Sequence, residues 1–426
     1  MDSSVLILLL ALLTLLGAPL FTIIGAFALL GFGEQGIDSS AVIIEMYKIA
    51  TMPTLLAIPL FTFAGYLLAE SNSPKRLVAL ARAMFGWMPG GLALVVLVSC
   101  AFFTAFTGAS GVTIVALGGL LFPILLAEGY RERFSLGLVT TSGSLGLLFP
   151  PSLPIILYAL VAEQSIDDLF VAGIIPGLLL IGILGLYSIF AGKQAKVKKV
   201  PFTWPELGRS IKGAAWEIPL PFLIVAGIYS GAFTATEAAS ITAFYVLVVE
   251  VFVYKDLSLR SDVPRVMKES MMLVGAILAI LGTALGLTNY LIDQQVPQKL
   301  FEIVQAQVES RIAFLIILNA FLLVVGMMMD IFSAILVVVP LIVPIATQFG
   351  VHPVHLGIIF LTNLEIGYLT PPVGLNLFLS SLRFKKPVLE ITRSVLVFIG
   401  LLLVALLVIT YVPELSLWLG ETLAPG

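Results

Sequence analysis

Charge is what this sequence has least of. Only 11% of its 426 residues are charged, against roughly 25% in soluble domains, while 60% are hydrophobic and the mean hydropathy is +1.12. A soluble globular domain is excluded. The apolar runs are continuous rather than alternating, which excludes a membrane β-barrel and leaves an all-α polytopic membrane protein. The one cysteine, Cys100, rules out an internal disulfide and a cysteine metal site, and is read as an inert buried thiol. The two histidines, His352 and His355, fall at the expected outer membrane edge and are read as surface residues. No lysine or arginine lies inside an apolar segment, so an anionic ligand would depend on helix amides, hydroxyls and co-bound cations. The first apolar run, Ser4–Leu30, is too long for a signal-peptide core and no convincing small-residue cleavage site follows it. It is read as a span.

What the chain does have, it has twice. Thr140-Thr-Ser-Gly-Ser-Leu-Gly146-Leu-Leu-Phe-Pro150-Pro151-Ser152 returns 221 positions later as Leu361-Thr-Asn-Leu-Glu-Ile-Gly367-Tyr-Leu-Thr-Pro371-Pro372-Val373. Pro123 and Pro344, Gly129 and Gly350, and Thr141 and Thr362 keep the same interval. Each copy sits in an apolar segment long enough to cross a bilayer. Proline removes a backbone donor and clashes with the preceding turn, so each segment should break there. A broken backbone at membrane depth is tolerated only inside protein or along a cavity. Paired breaks in two halves mark the binding site of a transporter.

The chain divides into a first repeat at 1–192, a basic linker at 193–213 and a second repeat at 214–426. Each repeat contains an apolar stretch too long for one span, at about 90–127 and 311–348. Small polar tips interrupt them, at Thr104–Thr113 and Gly326–Ser333, which predicts two re-entrant hairpins with half-length arms. The broken spans follow at 134–161 and 355–382. Amphipathic stretches at 71–88 and 293–310 precede the hairpins as interfacial helices. The layout has about nine full crossings and two hairpins.

Charge placement supports it. With the N-terminus cytoplasmic and the C-terminus periplasmic, 19 of the 22 Lys and Arg fall in cytoplasmic loops; Lys48, Lys299 and Arg311 do not. Lys193, Lys196, Lys198, Lys199, Arg209 and Lys212 make the linker the most basic of these loops. The same layout opens the first hairpin from the cytoplasm and the second from the far side, which makes the repeats inverted. The hairpins and broken spans should then move together as a block, with the remaining spans as scaffold.

Helix ends meeting at the breaks offer free carbonyls and free amides. With hydroxyl and amide oxygens, the carbonyls suit a hard cation such as sodium, and the amides suit a carboxylate. The first-half candidates for the cation are Gly108, Ser110, Thr113, Ser142, Ser144 and Gly146. The second half offers Asp330, Ser333, Thr362, Asn363, Gly367 and Thr370. Ser110, Pro150, Ser152, Pro371 and Asn376 are the candidates for substrate. A hydroxyl in a membrane helix can equally bond the preceding turn. Asp330 and Glu365 are read as the only carboxylates in the membrane interior, where an acid is a functional hypothesis. Asp330 has a second reading as a plain helix cap, and Glu365 a second reading as part of a polar interface.

The segments Pro53…Pro59-Leu-Phe, Gly108-Ala-Ser-Gly-Val-Thr113, Phe149-Pro-Pro-Ser152 and Thr370-Pro-Pro-Val-Gly-Leu-Asn376 carry a resemblance. Over its whole length the chain resembles the large membrane subunit of tripartite ATP-independent periplasmic (TRAP) transporters. The resemblance implies an elevator-type importer of organic acids in the bacterial inner membrane, driven by sodium ions, with no organic cofactor. It implies two partners, a small membrane subunit on a separate polypeptide and a periplasmic solute-binding protein that delivers substrate. C4-dicarboxylate and sialic acid importers look alike at this level, with a slight lean to sialic acid. Other classes remain open from the residues. A proton-coupled carrier would use Asp330 and Glu365. An intramembrane serine protease would use Gly108-Ala-Ser110-Gly111, but it needs a base and the histidines lie far out. A channel would not require two opposed hairpins.

Overall fold

A computed structural model of the chain describes residues 10, 12–13, 18–38, 40–195, 201–308 and 310–423. Every regular element among them is a helix. Eight helices are long and apolar enough to cross a membrane, or up to nine when a bent pair counts as one span. The beginning of the first expected span and the linker residues Lys196, Lys198 and Lys199 lie outside the described residues, as do the side chains of Glu45 and Lys48.

The helices recur at the interval seen in the sequence. Gly91–Thr107 and Ser110–Ala127 form the first hairpin, and Arg311–Met328 and Ile331–Gln348 form the second, 221 positions on. The first broken span runs through Glu132–Ser142, a short turn at Leu145–Leu148 and Leu153–Val161, with a bend of 45°. The second runs through Pro353–Gly367 and resumes at Leu375–Phe384. In both, the Pro-Pro pair ends the first segment because neither residue can extend the backbone ladder. The Pro150–Pro151 and Pro371–Pro372 bonds are both cis. Amphipathic helices Ser73–Phe85 and Val296–Gln305 precede the hairpins.

Four expectations change. The hairpin arms are 17 or 18 residues long, about 26 Å at 1.5 Å per residue, so each arm is nearly bilayer-length rather than half-length. Asp262–Asp293 is a single helix of 32 residues that begins inside the loop expected before Ser270. The linker holds a short helix, Trp204–Gly213, packed against Ser73–Phe85. Finally, the spans outside the hairpins and breaks do not all join one scaffold. Leu20–Glu34, Ser40–Ala50 and Ala57–Glu70 pack on Asp262–Asp293, with Ala235–Val248 against Ala57–Glu70. Ile174–Ala195 and Val388–Tyr411 do not join that group and pack on the broken spans and on each other, while the first hairpin packs on both Ile174–Ala195 and Ala57–Glu70. Packing therefore groups these two spans with the breaks. A cleft of about 680 Å³ is lined from both groups, by Met52, Thr54 and Thr234 on one side and Glu163, Gln164 and Asp167 on the other.

One ionic knot lies outside the block. Arg76, on Ser73–Phe85, binds Glu217, Glu250 at 2.9 Å and Asp256 at 2.5 Å, and its guanidinium lies 3.7 Å from the Tyr254 ring centre. Burial works against the charge of Asp256, but hydrogen bonds from Asn72 and Arg76 outweigh it and hold the carboxyl below its usual range. Glu217 and Glu250 are buried, so Glu365 is not alone among the described residues in being an acid enclosed by protein. Buried acids persist here because a cation is paired with them.

Candidate functional site

The centre is built where the first hairpin tip meets both broken spans. Gly108 ends the first arm with φ at +63°, and a Cβ there would lie 2.5 Å from that of Leu153. Just beyond it, the Ser110 hydroxyl donates to Asn376 Oδ1 at 2.7 Å. The Asn376 amide reaches the Thr140 carbonyl at 3.5 Å, and the Thr140 hydroxyl donates to Ser380 at 2.9 Å. Asn376 and Ser380 lie one turn apart on Leu375–Phe384, and all four side chains are buried. The Thr104 hydroxyl donates to the Gly143 carbonyl at 2.8 Å, so Thr113 donates to Thr104 at 2.6 Å. Thr104, Thr140 and Ser380 were not among the candidates. Thr104 stood within the expected tip and Thr140 within the repeated stretch; Ser380 had only its i+4 spacing from Asn376 as a signal.

The second tip is finished differently. Asp330 Oδ1 accepts from the backbone N–H groups of Phe332 and Ser333, both at 3.0 Å, and Oδ2 accepts from the Ser333 hydroxyl at 2.5 Å. Asp330 is exposed and caps the return arm, the second of its two readings. The Tyr368 hydroxyl accepts from the Ile331 N–H at 2.6 Å, and the N–H groups of Val373 and Gly374 both reach the Met327 carbonyl at 3.3 Å. The hairpin is thus stitched to its own repeat's break.

Several candidates bond within their own helix, as membrane hydroxyls often do. Ser142 donates to Leu138 O at 2.6 Å, Thr362 to Ile358 O at 2.7 Å and Thr370 to Ile366 O at 3.0 Å. Asn363 turns away from the centre and donates to Asn319 Oδ1 at 2.7 Å, and Asn319 donates to Thr410 at 3.1 Å. His355 joins that side through the Thr410 carbonyl at 3.3 Å and Ser416 at 3.1 Å, and is fully buried. It is no surface residue. His352 is exposed and caps the helix through Val354 N–H at 3.2 Å.

Gly146 and Gly367 act through what they lack. A Cβ at Gly146 would collide with Ala101 and Ala105 backbone on the first hairpin, and one at Gly367 with Gly326 and Met327 on the second. Ala105 and Gly326 are themselves 221 positions apart. The same close crossing of break and hairpin arm is therefore made twice. Around the breaks, Thr141 Oγ1, Ser152 Oγ and both Glu365 oxygens are buried without a hydrogen-bond partner. Uncharged and anionic oxygens left free in this way are the donor set of a hard cation, so the residues fit sodium. Pro150 and Ser152 are buried, whereas Pro371 is exposed. Ser144 faces Glu365 without a bonding geometry, and the two residues occupy the same position of the two repeats, 221 apart.

A helical membrane block with doubled hairpins and polar, broken spans defines the class: a polytopic membrane transporter. The fold agrees with the transporter YdaH from Alcanivorax borkumensis, with a TM-score of 0.64 at 14% identity over 91% of this chain and 89% of that one. The family model described as "Tripartite ATP-independent periplasmic transporter, DctM component" matches residues 5–415, and the chain belongs to this family. It is 38% identical over 404 residues to the "C4-dicarboxylate TRAP transporter large permease protein DctM" of Pseudomonas aeruginosa, covering 93% of each chain. It is 32% identical over 414 residues to the "Ectoine/5-hydroxyectoine TRAP transporter large permease protein UehC" of Ruegeria pomeroyi, covering 96% of each. It is also 34% identical to the "Isethionate TRAP transporter permease protein DctMQ" of Oleidesulfovibrio alaskensis, over 96% of this chain and 65% of that one. The chain is a multi-pass transporter subunit and not an enzyme; Ser110, the serine of the protease-like motif, is bonded to Asn376.

Proposed function

We propose that this subunit imports a small organic acid across the bacterial inner membrane by sodium symport. Its substrate is delivered by a periplasmic binding protein, and a small membrane subunit works beside it. Among its relatives, the C4-dicarboxylate permeases favour a C4-dicarboxylate as substrate over sialic acid, while the ectoine and isethionate permeases widen the range to small polar solutes. The observation that carries sodium coupling is the set of buried, unpartnered oxygens around the breaks, which no described lysine or arginine neutralises. Sodium supplies the charge that lets an anionic substrate sit among them. Ser110, Asn376 and the Pro150–Ser152 turn lie where a carboxylate would be received by hydroxyl, amide and helix-end N–H groups. In this reading the repeats are inverted, the N-terminus is cytoplasmic and the C-terminus periplasmic. The hairpins and breaks then travel as one block across the scaffold.

The test is uptake of succinate into vesicles holding this subunit, its small subunit and the binding protein, at fixed pH, with and without an inward sodium gradient. Uptake should require sodium. Uptake driven by a proton gradient alone would replace this reading with the proton-coupled one. Labelling of a cysteine at position 193 from the periplasmic side would overturn the orientation.

A further inference from the structure

Glu365 is 1% exposed, and neither carboxyl oxygen has a hydrogen-bond partner. A carboxylate buried in that condition is among the most unfavourable groups a fold can hold, and it stays ionised only with a compensating charge, taking up a proton otherwise. No described lysine or arginine is bonded to it. The charged side chains on the neighbouring helices, including Arg311, Asp330, Glu390 and Arg393, make no hydrogen bond to it. The direction in which it points is set by the helix. Asn363 is turned to the second hairpin through Asn319, and Leu364 and Gly367 pack against Gly326. Glu365 lies two residues beyond Asn363, about 200° further round the helix. It therefore faces the first repeat's break, where Ser144 lies beside it and spends its proton on the Thr141 carbonyl at 3.3 Å. The Ser144 oxygen is left free to accept or to ligate.

We propose that the Glu365 carboxylate anchors a sodium ion between the two broken spans, with Ser144 of the other repeat as its neighbour. The proposal rests on the sodium-coupled reading above and gives it a charged ligand. The hydroxyls and carbonyls elsewhere around the breaks are neutral, so losing an ion there leaves no net charge behind. Losing the ion at Glu365 leaves one negative charge buried in the moving block. A block carrying substrate without that ion would then cross with difficulty, and uptake without sodium would be suppressed.

Sodium binding to the purified complex in detergent can be read by equilibrium binding of radioactive sodium and by the sodium-dependent rise in melting temperature, with potassium chloride holding ionic strength. Glu365→Gln keeps the shape and removes the charge. It should bind one sodium fewer, or bind it at least about tenfold more weakly, and melt no lower than wild type without sodium. Glu365→Asp keeps the charge with a shorter reach, should retain the ion at reduced affinity, and serves if the glutamine variant does not fold. Equal sodium stoichiometry and midpoint in wild type and both variants would overturn the proposal and leave sodium coupling standing. A wild type that binds no sodium at all would overturn both.

Discussion

The two repeats place the same elements in the same order and finish them in opposite ways. In the first, Pro150, Pro151 and Ser152 are buried, and the hairpin's return arm reaches the other repeat through Ser110 and Asn376. In the second, Pro371, Pro372 and Val373 are exposed, and the hairpin tip is held by an exposed aspartate cap and main-chain bonds. Moved by one repeat, the Ser110 and Asn376 positions become Ile331 and Ile155, both buried, on helices that pack in the corresponding way. One crossing is polar and the other greasy. The approach to the hairpins differs too. The first repeat breaks at Met52–Pro53 and ties its amphipathic helix down through Arg76, while the second runs unbroken through Asp262–Asp293 and its amphipathic helix makes no ion pair among the described residues. Duplication preserves where backbones must break or cross; the side chains placed there decide what each copy does.

The ionic tie should give the largest difference. Arg76→Ala strands Glu217 and Glu250 in a buried site and should cost about 3–5 kcal/mol in reversible denaturation. Lys299→Ala on the second amphipathic helix should stay within about 0.5 kcal/mol of wild type. Equal effects would erase that contrast. The glycine crossings come next and should show symmetry instead. Gly146→Ala and Gly367→Ala each force a break off its hairpin arm, at about 1–3 kcal/mol, and uptake should fall in both. A tolerant position would show that its crossing is slack.

Ser110→Ala leaves the Asn376 oxygen buried without its donor, at a cost of about 1–3 kcal/mol. The counterpart Ile331→Val should cost only about 0.5–1.5 kcal/mol, and the gap between these two melting shifts measures the polar crossing. Asp330→Asn should do least. Asparagine caps a helix about as well as aspartate, so stability should change by less than about 0.5 kcal/mol and the sodium midpoint of uptake should not move. A shifted midpoint would return Asp330 to the cation site.

The breaks, hairpins and repeat interval were legible because glycine and proline act on their own backbone and do so wherever they stand. Pairings between distant segments were not. Ser110 and Asn376 were each named as candidates, yet nothing in a sequence joins positions 266 apart. Hydropathy put His355 near the expected membrane edge but could not show that Ser416 and the Thr410 carbonyl enclose it. Lys268 and Glu269 read as loop residues, though they belong to an early turn of a helix whose apolar part lies further on. Arg76 was counted as one more cytoplasmic charge because its three partners lie 141 or more positions away.

The pairing of Ser144 with Glu365 also carries a history. In a two-fold assembly of identical copies, a residue on the axis meets itself. Two glutamates placed face to face in a buried site would repel each other, and two serines would bring no charge at all. A single acid beside a single hydroxyl is available only once both copies lie in one chain and can change separately. Under the inverted-repeat reading, a single chain lets that axis hold two different residues.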